Sequence, residues 1–320
     1  MHGKIFWRSK DGTSAPSNAQ FSLWPFTGTQ QTLENVSVIS KLPFPIPPVP
    51  ILRRIHNPDR DSWMQLVQQA VLQIKKGALQ KVVLARETTL YLDYAPDPFQ
   101  MTAMLDKKSE GATLFCLQFD QKKAFFGATP ERLFRAQGPE IRVEAVAGTR
   151  RRGKTEAECA QLEQELLSSA KDLHEFRFVQ DYFANHLPSI QFSPHRVHRT
   201  ANVQHLYSEG ISPLCPTQNP LDLVPLLHPT PALAGTPKQK ALAWIKAQEP
   251  FERGLYGGII GWQNPLQSEW VVAIRSCLLE GSVAKLYTGT GIVADSDPAL
   301  EWEELEAKIA LYNHLFAGNS

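Results

Sequence analysis

The chain has 320 residues, enough for one large domain or two small ones. Its formal net charge of +1 argues against nucleic acid or an acidic membrane surface as a partner. No apolar run approaches the roughly 20 residues that cross a bilayer, and the N-terminus lacks the apolar centre of a signal peptide. The four cysteines are spread too widely to indicate a disulfide framework or a zinc site. We therefore expect a cytoplasmic protein that binds neither nucleic acid nor membranes, and we take a monomer as the default.

The first part of the chain shows little regular pattern. The five prolines of residues 41–50 exclude a helix interior there. We expect residues 1–50 to form an irregular N-terminal segment with a proline-rich connector, and residues 51–320 to form a single domain.

Apolar periodicity predicts the first regular elements after this connector. Residues 61–77 have the spacing of an amphipathic helix. Short β-branched and apolar runs then predict strands at residues 81–86, 88–92, 113–119, 123–127, 132–136 and 141–148.

The second half of the chain predicts further helices and strands. Residues 155–186 have a helical pattern, and a last helix is expected from about Pro298 to Phe316, with Ser296 as its cap. A three-strand meander is expected at residues 256–262, 270–279 and 283–293. Strands and helices do not alternate as in βαβ units, so the order predicts an α+β fold.

Two of the predicted helices carry acidic residues three positions apart, Asp172 with Glu175 and Glu301 with Glu304. This spacing places each pair on one helix face. Either pair alone is more typical of a solvated face. A hard cation would offset the repulsion of like charges, and Mg²⁺ takes one or two direct carboxylate ligands. If the two helices meet, they could present two inner and two outer acids to such an ion.

Two charged residues lie beside predicted strands. Lys81 begins a strand and Glu131 follows a Gly-Ala-Thr-Pro turn. A solvated lysine and a turn-capping glutamate are the ordinary interpretations. In a closed pocket, however, a lysine can lose its proton and act as a base, and a glutamate can keep its proton and act as an acid.

Glycines and an arginine near the C-terminus are typical of an anion site. Gly289 and Gly291 let the backbone approach a ligand, although a strand bulge would also use them. Arg275 lies in an otherwise apolar run and needs an anionic partner. A substrate carboxylate and a structural Asp or Glu both fit this requirement.

In this order, the motifs resemble those of the chorismate-utilising enzymes, which include anthranilate, aminodeoxychorismate, salicylate and isochorismate synthases. The resemblance runs from about Asp61 to Leu315. Its motifs are KVVLAR, FGATPERLF, VAGTRRRG, KDLHEFRFV, LHPTPALAGTPK, YGGIIGW, AIRSC, TGTGIV and DPALEWEELEAK. It implies two stacked, mainly antiparallel β-sheets with helices on the outside, and residues 51–320 as a single chorismate-binding catalytic domain.

The resemblance also implies roles for individual residues. Matching positions make Glu175 and Glu304 the direct Mg²⁺ ligands, with Asp172 and Glu301 in an outer shell. Lys81 becomes the catalytic base and Glu131 the catalytic acid. The substrate-binding residues that the resemblance implies are Tyr256, Arg275, Gly289, Thr290, Gly291, Ile292, Gly148, Thr149, His228, Ala232 and Leu233.

Within the family, Lys81 and the phrase LHPTPALAG resemble the isochorismate synthases. This implies a reversible isomerisation of chorismate, in which water adds at C2 and the C4 hydroxyl leaves. The product would enter menaquinone, siderophore or salicylate biosynthesis. A salicylate synthase, which also eliminates pyruvate, is the nearest alternative. A chorismate-binding protein without activity is the second.

Overall fold

The computed structural model of the protein describes residues 3–107, 109–199, 203–215 and 217–317. Within these ranges, nineteen strands form two sheets, accompanied by seven α-helices and two short 3₁₀ helices. None of the described helices has the length and apolar character needed to cross a membrane.

The first sheet contains ten strands. Their spatial order is β19 (Phe316–Ala317), β5 (Val49–Asn57), β6 (Lys81–Leu92), β18 (Val283–Ile292), β17 (Ser276–Glu280), β8 (Lys123–Thr129), β7 (Thr113–Gln118), β1 (Lys4–Arg8) and β4 (Ser37–Ile39), with β14 (Gly235–Thr236) paired to β6. The pairs β1–β4 and β5–β19 are parallel, and the other described pairs in this sheet are antiparallel.

The second sheet is antiparallel throughout its described pairs. Its order is β11 (Gln191–Phe192), β13 (Val203–Pro213), β10 (Glu140–Arg151), β9 (Arg132–Gln137), β16 (Gln267–Val272), β15 (Ile259–Gln263), β2 (Gln20–Trp24) and β3 (Gln31–Thr32), with β12 (Arg196–Arg199) paired to β13. The helices are α1 (Arg60–Lys75), α2 (Pro98–Asp106), α3 (Glu156–Ser168), α4 (Ala170–His186), α5 (Leu223–Leu227), α6 (Lys238–Gln248) and α7 (Pro298–Ile309).

Alternating side chains show how the two sheets stack. Phe125 in β8 packs between the sheets against a cluster that includes Trp262 and Val271 of the second sheet. Its neighbour Phe126 points the other way and packs in the cluster that contains residues of α2, such as Met101. Successive strand residues face opposite sides of a sheet, so the core lies between the sheets and helices cover their outer faces. The predicted α+β fold is confirmed.

Several predicted helices and strands are confirmed, with small differences in where they begin, end or divide. The helix expected at residues 61–77 is α1, capped by Asp59, whose Oδ1 accepts from the Ser62 amide at 2.9 Å. The helix expected at 155–186 is divided into α3 and α4, because Ser169 adopts an extended conformation and its hydroxyl caps α4. The runs at 81–86 and 88–92 form the one strand β6.

The N-terminal segment differs from the expectation of an irregular region. Within residues 4–39 it contributes β1 and β4 to the first sheet, and β2 and β3 to the second. These strands are too short for their periodicity to stand out, and they form by pairing with distant strands such as β7 and β15. The proline-rich connector does lack regular structure until β5 begins at Val49.

The predicted meander and the predicted helix cap are wrong. Residues 270–279 do not form one strand: β16 ends at Val272 in the second sheet, and β17 begins at Ser276 in the first. Arg275 lies in the connection with a φ of 50°, which breaks the strand. The last helix ends at Ile309, and its cap is Asp297, whose Oδ1 accepts from the Ala299 and Leu300 amides at 2.9 and 3.0 Å.

Candidate active site

Lys81 lies at the first position of β6 and forms an ion pair with Glu175 of α4. Its side chain passes over Gly291 of the neighbouring strand β18, where a Cβ would lie 2.7 Å from Lys81 Cε. The glycine is therefore needed for the lysine to take this path. Glu175 keeps 37% of its side chain exposed, so it remains accessible to a ligand.

Glu131 lies between β8 and β9 and is partly buried. Its amide donates to Thr129 Oγ1 at 3.2 Å and its carbonyl accepts from the Val272 amide at 3.0 Å. Burial, the largest cause, and the nearby Glu144 raise the pKa of Glu131, while Lys81 lowers it, and the net value is about 7. A carboxyl with this pKa carries a proton at neutral pH about half of the time, as a general acid requires.

The acidic pair of α7 converges on one hydroxyl of the first sheet. Thr290 Oγ1 contacts Glu301 Oε2 at 2.6 Å and Glu304 Oε1 at 3.1 Å. Lys308, one turn further, donates to Glu304 at 2.6 Å and to the Gly289 carbonyl at 2.7 Å. Burial works against ionisation of Glu304, but Lys308 and Thr290 outweigh it and hold the pKa of that carboxyl below its usual range.

Asp172 of α4 is buried, and Arg150 of β10 donates to its Oδ2 at 2.6 Å. Gly148, in the left-handed conformation with a φ of 65°, lies against it, and a Cβ there would come within 3.1 Å of Asp172 Oδ1. The neighbouring Thr149 pairs through its backbone with His205, at the point where the register of β10 shifts. The side chain of Thr149 lies outside the described part of the structure.

The four predicted metal-binding carboxylates do not form one group. Among the described residues, no three His, Cys, Asp or Glu side chains lie close enough together to hold a metal ion. Each carboxylate instead has a basic or hydroxyl partner: Lys81 for Glu175, Arg150 for Asp172, and Thr290 for both Glu301 and Glu304. The donor set nevertheless suits a hard cation that retains water and takes one or two carboxylates from the protein.

Arg275 and Tyr256 lie close to the glycine-rich end of β18. A Cβ on Gly289 would come within 2.8 Å of Tyr256 Oη, so this backbone approaches the phenol closely. Tyr256 stacks on Tyr287 with ring centroids 5.2 Å apart. Burial lowers the pKa of Arg275, while Tyr312, Tyr256 and Glu304 act to raise it. The guanidinium thus interacts electrostatically with two phenols and one carboxylate, and a buried guanidinium suits an anionic ligand.

The loop from His228 to Leu233 lies beside the strand that carries Lys81. The β14 strand that follows it pairs Thr236 with Lys81 and Gly235 with Val82. His228 is buried, and neither of its ring nitrogens has a hydrogen-bond partner within the described residues. Burial lowers the pKa of His228 to about 3, so its ring is neutral.

Three of the substrate-binding residues that the family resemblance implies differ in how deeply they are buried. Leu233 is buried in the main core, whereas Ala232 is partly exposed. Ile292 is fully buried and pairs with Val82, and therefore contributes to the wall of the sheet.

The sequence analysis missed a buried ion pair behind this loop. Arg253 pairs with Glu249 at 2.6 Å, and donates to the carbonyls of Val83 at 2.7 Å and Leu233 at 3.0 Å. Glu249 accepts from the Ala85 amide at 2.8 Å. The pair thus joins β6 to the loop. Arg253 stands three residues before Tyr256, but nothing local in the sequence identifies its distant partners.

Comparison with known proteins places this geometry in a family. Residues 25–315 match the profile of the family described as chorismate binding enzyme. Isochorismate synthase 2, chloroplastic, of Arabidopsis thaliana is 38% identical over 292 residues, which cover 88% of this chain and 52% of that protein. Isochorismate synthase MenF of Haemophilus influenzae is 35% identical over 291 residues, which cover 90% and 67%. The chain thus spans about half the length of the plant relative.

Solved structures agree with the sequence comparison. The structure of MenF, the menaquinone-specific isochorismate synthase from Escherichia coli, matches with a TM-score of 0.89 at 26% identity, covering 98% of this chain and 89% of that one. Anthranilate synthase component I from Streptococcus pneumoniae has the same fold, with a TM-score of 0.75 at 23% identity. On these matches, the chain belongs to the family of chorismate-binding enzymes.

Proposed function

We propose that the chain is an isochorismate synthase that uses Mg²⁺ to isomerise chorismate reversibly to isochorismate. The observation that carries this proposal is the presence of two candidate proton-transfer groups, Lys81 and Glu131, that interact electrostatically. One is a lysine held against Gly291, and the other is a carboxyl whose pKa is about 7. The names of the relatives support the same activity.

The reaction requires two proton transfers, one from the water that attacks C2 and one to the hydroxyl that leaves C4. Lys81 takes a proton from water as its oxygen bonds to C2, the ring double bonds shift, and the C4 hydroxyl leaves as water with a proton from Glu131. One water is consumed and one is released, so the product is an isomer of chorismate. A proton then returns from Lys81 to Glu131 by exchange with solvent before the next turnover. A base must have a free lone pair to accept a proton, so the ion pair of Lys81 with Glu175 must open in the working enzyme.

The remaining residues would bind and orient the substrate. Arg275, Tyr256 and the backbone from Gly289 to Ile292 would hold the carboxylate of the enolpyruvyl group. Glu175 and Glu304 would be the direct Mg²⁺ ligands, with Asp172 and Glu301 binding through water. When bound, Mg²⁺ would act as a Lewis acid on the ring carboxylate. A cytoplasmic monomer that supplies menaquinone or siderophore biosynthesis remains our expectation.

The activity is tested by incubating the purified protein with chorismate and Mg²⁺ and following the products by proton NMR. We expect isochorismate in equilibrium with chorismate, and no early pyruvate in a lactate dehydrogenase-coupled assay. Stoichiometric pyruvate would identify a salicylate synthase instead. Binding without turnover would identify an inactive chorismate-binding protein.

The metal is tested with two neighbouring glutamates of α7. Glu304→Gln should raise the Mg²⁺ concentration for half-maximal activity at least about tenfold, because it removes a charged ligand. Glu303→Gln makes the same charge change at an exposed position of the same helix and should not. Full activity after exhaustive chelation, or equal Mg²⁺ dependence in both variants, would refute the metal site.

A further inference from the structure

A cluster of four charges lies behind Glu131, composed of Lys10, Arg132, Glu144 and Glu269. Arg132 contacts Glu269 Oε1 at 2.7 Å and Glu144 Oε1 at 3.3 Å, and Lys10 pairs with the other oxygen of Glu144. The carboxylates are buried, with 5% of the Glu144 side chain exposed and 1% of that of Glu269.

The end of β1 and the residue that follows it donate hydrogen bonds to this four-charge cluster. Trp7 Nε1 donates to Glu269 Oε2 at 3.2 Å, and Ser9 Oγ donates to the same oxygen. Charges of both signs are thus equal in number, two cations against two carboxylates. A buried charge is tolerated only when it is paired and hydrogen-bonded, and here every member is.

The cluster borders Glu131 directly. Arg132 follows Glu131 in the chain, and successive residues in extended backbone point to opposite sides, so the guanidinium turns away toward Glu144 and Glu269. Glu144 on β10, Lys81 on β6 and Tyr256 before β15 all interact electrostatically with Glu131.

Further titratable groups border the cluster and must be considered in any test of pH dependence. They are His198 on β12 and Tyr207 on β13, which interact with Glu144, and Asp11, which interacts with Arg132 and pairs with Arg135.

The effect of this cluster on the pKa of Glu131 follows from Coulomb's law. An unpaired Arg132 would present a positive charge near Glu131 and favour its ionised form. Glu269 and Glu144 together offset the charges of Arg132 and Lys10, and Glu144 places a carboxylate near Glu131 that disfavours its ionisation. Consistent with this, Glu144 is the largest effect after burial on the raised pKa of Glu131.

We propose that Glu144 is a positioning residue for the acid: its buried carboxylate, held by Lys10 and Arg132, keeps Glu131 in the protonated form that it needs to release the C4 hydroxyl. The proposal rests on the proposed function for the role of Glu131, but the charge effect itself exists in the resting protein. It can therefore be measured without turnover.

The test is a titration of Glu131 by carbon-13 NMR of labelled glutamate carboxyls, assigned by loss of its signal in Glu131→Gln. Glu144→Gln should lower the pKa of Glu131 by about one unit, since the cluster gains a net positive charge. Lys10→Met should raise the pKa, since the cluster then carries a net negative charge. Glu140→Gln, the same charge change at an exposed position of β10, should leave the titration unchanged.

The two opposite shifts keep the proposal falsifiable if one variant fails to fold. An unchanged titration in whichever of the two variants folds, or a shift in the same direction in both, would overturn it. If the titrations shift as expected but chorismate is not turned over, the proposed function fails and the electrostatic role stands. In an active enzyme, the kcat of Glu144→Gln at pH 7 should fall while its KM changes little.

Discussion

At the scale of single residues, the environment of Glu131 makes its proton depend on the fold. Burial raises its pKa from 4.5 to about 7. A carboxyl with a higher pKa in the folded state binds its proton more tightly there, so its contribution to stability is lost as pH rises from about 4.5 to 7. Catalysis by the protonated acid should decline as pH rises through about 7.

Glu131→Gln separates this titration from the rest of the protein. The amide cannot ionise, so the variant should gain stability over the wild type between pH 5 and pH 8, by a difference on the order of 2 kcal/mol. Urea denaturation at the two pH values measures it. Its kcat should fall roughly 10²-fold or more. A stability difference that does not change with pH would show that Glu131 is already ionised in the folded protein.

Gly291 gives a second prediction at this scale. In Gly291→Ala the new methyl would lie 2.7 Å from Lys81 Cε, so the lysine must move. Because the end of a lysine side chain moves at little cost, we expect only a small change in unfolding free energy, but a lower kcat, since the amine leaves its place beside Glu175. The matched test adds Gly291→Ala to Lys81→Ala, where no amine remains to be displaced and the added methyl should not lower kcat further. An equal fractional loss of kcat in both backgrounds would contradict the contact.

The sequence suggests candidate residues at this scale through the motifs in which they lie. Lys81, Glu131 and the two acidic pairs each have an ordinary interpretation alone, and their proposed roles come from the family resemblance. The pairing of Asp172 with Arg150, or of Glu144 with Arg132, joins residues of different elements. Such contacts depend on how strands align in space, which no local pattern encodes.

At the scale of elements, the docking of α7 decides where its acidic face points. Arg86, within β6, is fully buried and lies 4.2 Å over the ring of Trp302 of α7. The same guanidinium pairs with Glu306 of α7 at 2.6 Å. These contacts fix the helix beside β18, so that Glu301 and Glu304 reach Thr290.

Arg86 and Glu306 differ in exposure, so removing one or the other should lower the unfolding free energy by different amounts. Glu306→Gln leaves a guanidinium with no exposed surface and no counterion, which should cost about 3 kcal/mol or more. Arg86→Met leaves Glu306, whose side chain is 40% exposed and can be hydrated, so the cost should be smaller. Urea unfolding of both variants checks the order. A larger loss in Arg86→Met would mean that packing on Trp302, rather than charge, holds the helix.

Elements were predicted correctly where a local apolar pattern marks them, and incorrectly where the pairing of distant strands determines which sheet a segment joins. α1 and the strands β7, β8 and β9 have patterns that a local reading captures. The run at 270–279 is apolar apart from Arg275 and Ser276, and this composition does not reveal that the chain changes sheets there.

At the scale of the whole molecule, the N-terminal strands join the two sheets. β1 and β2 are close in sequence but belong to different sheets, and Trp7 of one packs with Phe21 of the other. The segment that we expected to be irregular is therefore part of the core between the sheets. The overall α+β class followed from element order, but the assignment of each strand to a sheet required the structure.

The central claim is that water adds at C2 while the C4 hydroxyl leaves. Turnover of chorismate in H₂¹⁸O, with mass spectrometry of the product at early times, tests it most directly. The mechanism predicts isochorismate with one ¹⁸O atom in its C2 hydroxyl, formed only when Mg²⁺ is present and strongly reduced in Lys81→Ala. Unlabelled isochorismate would show that the hydroxyl migrates within the substrate, and would contradict the roles of Lys81 and Glu131.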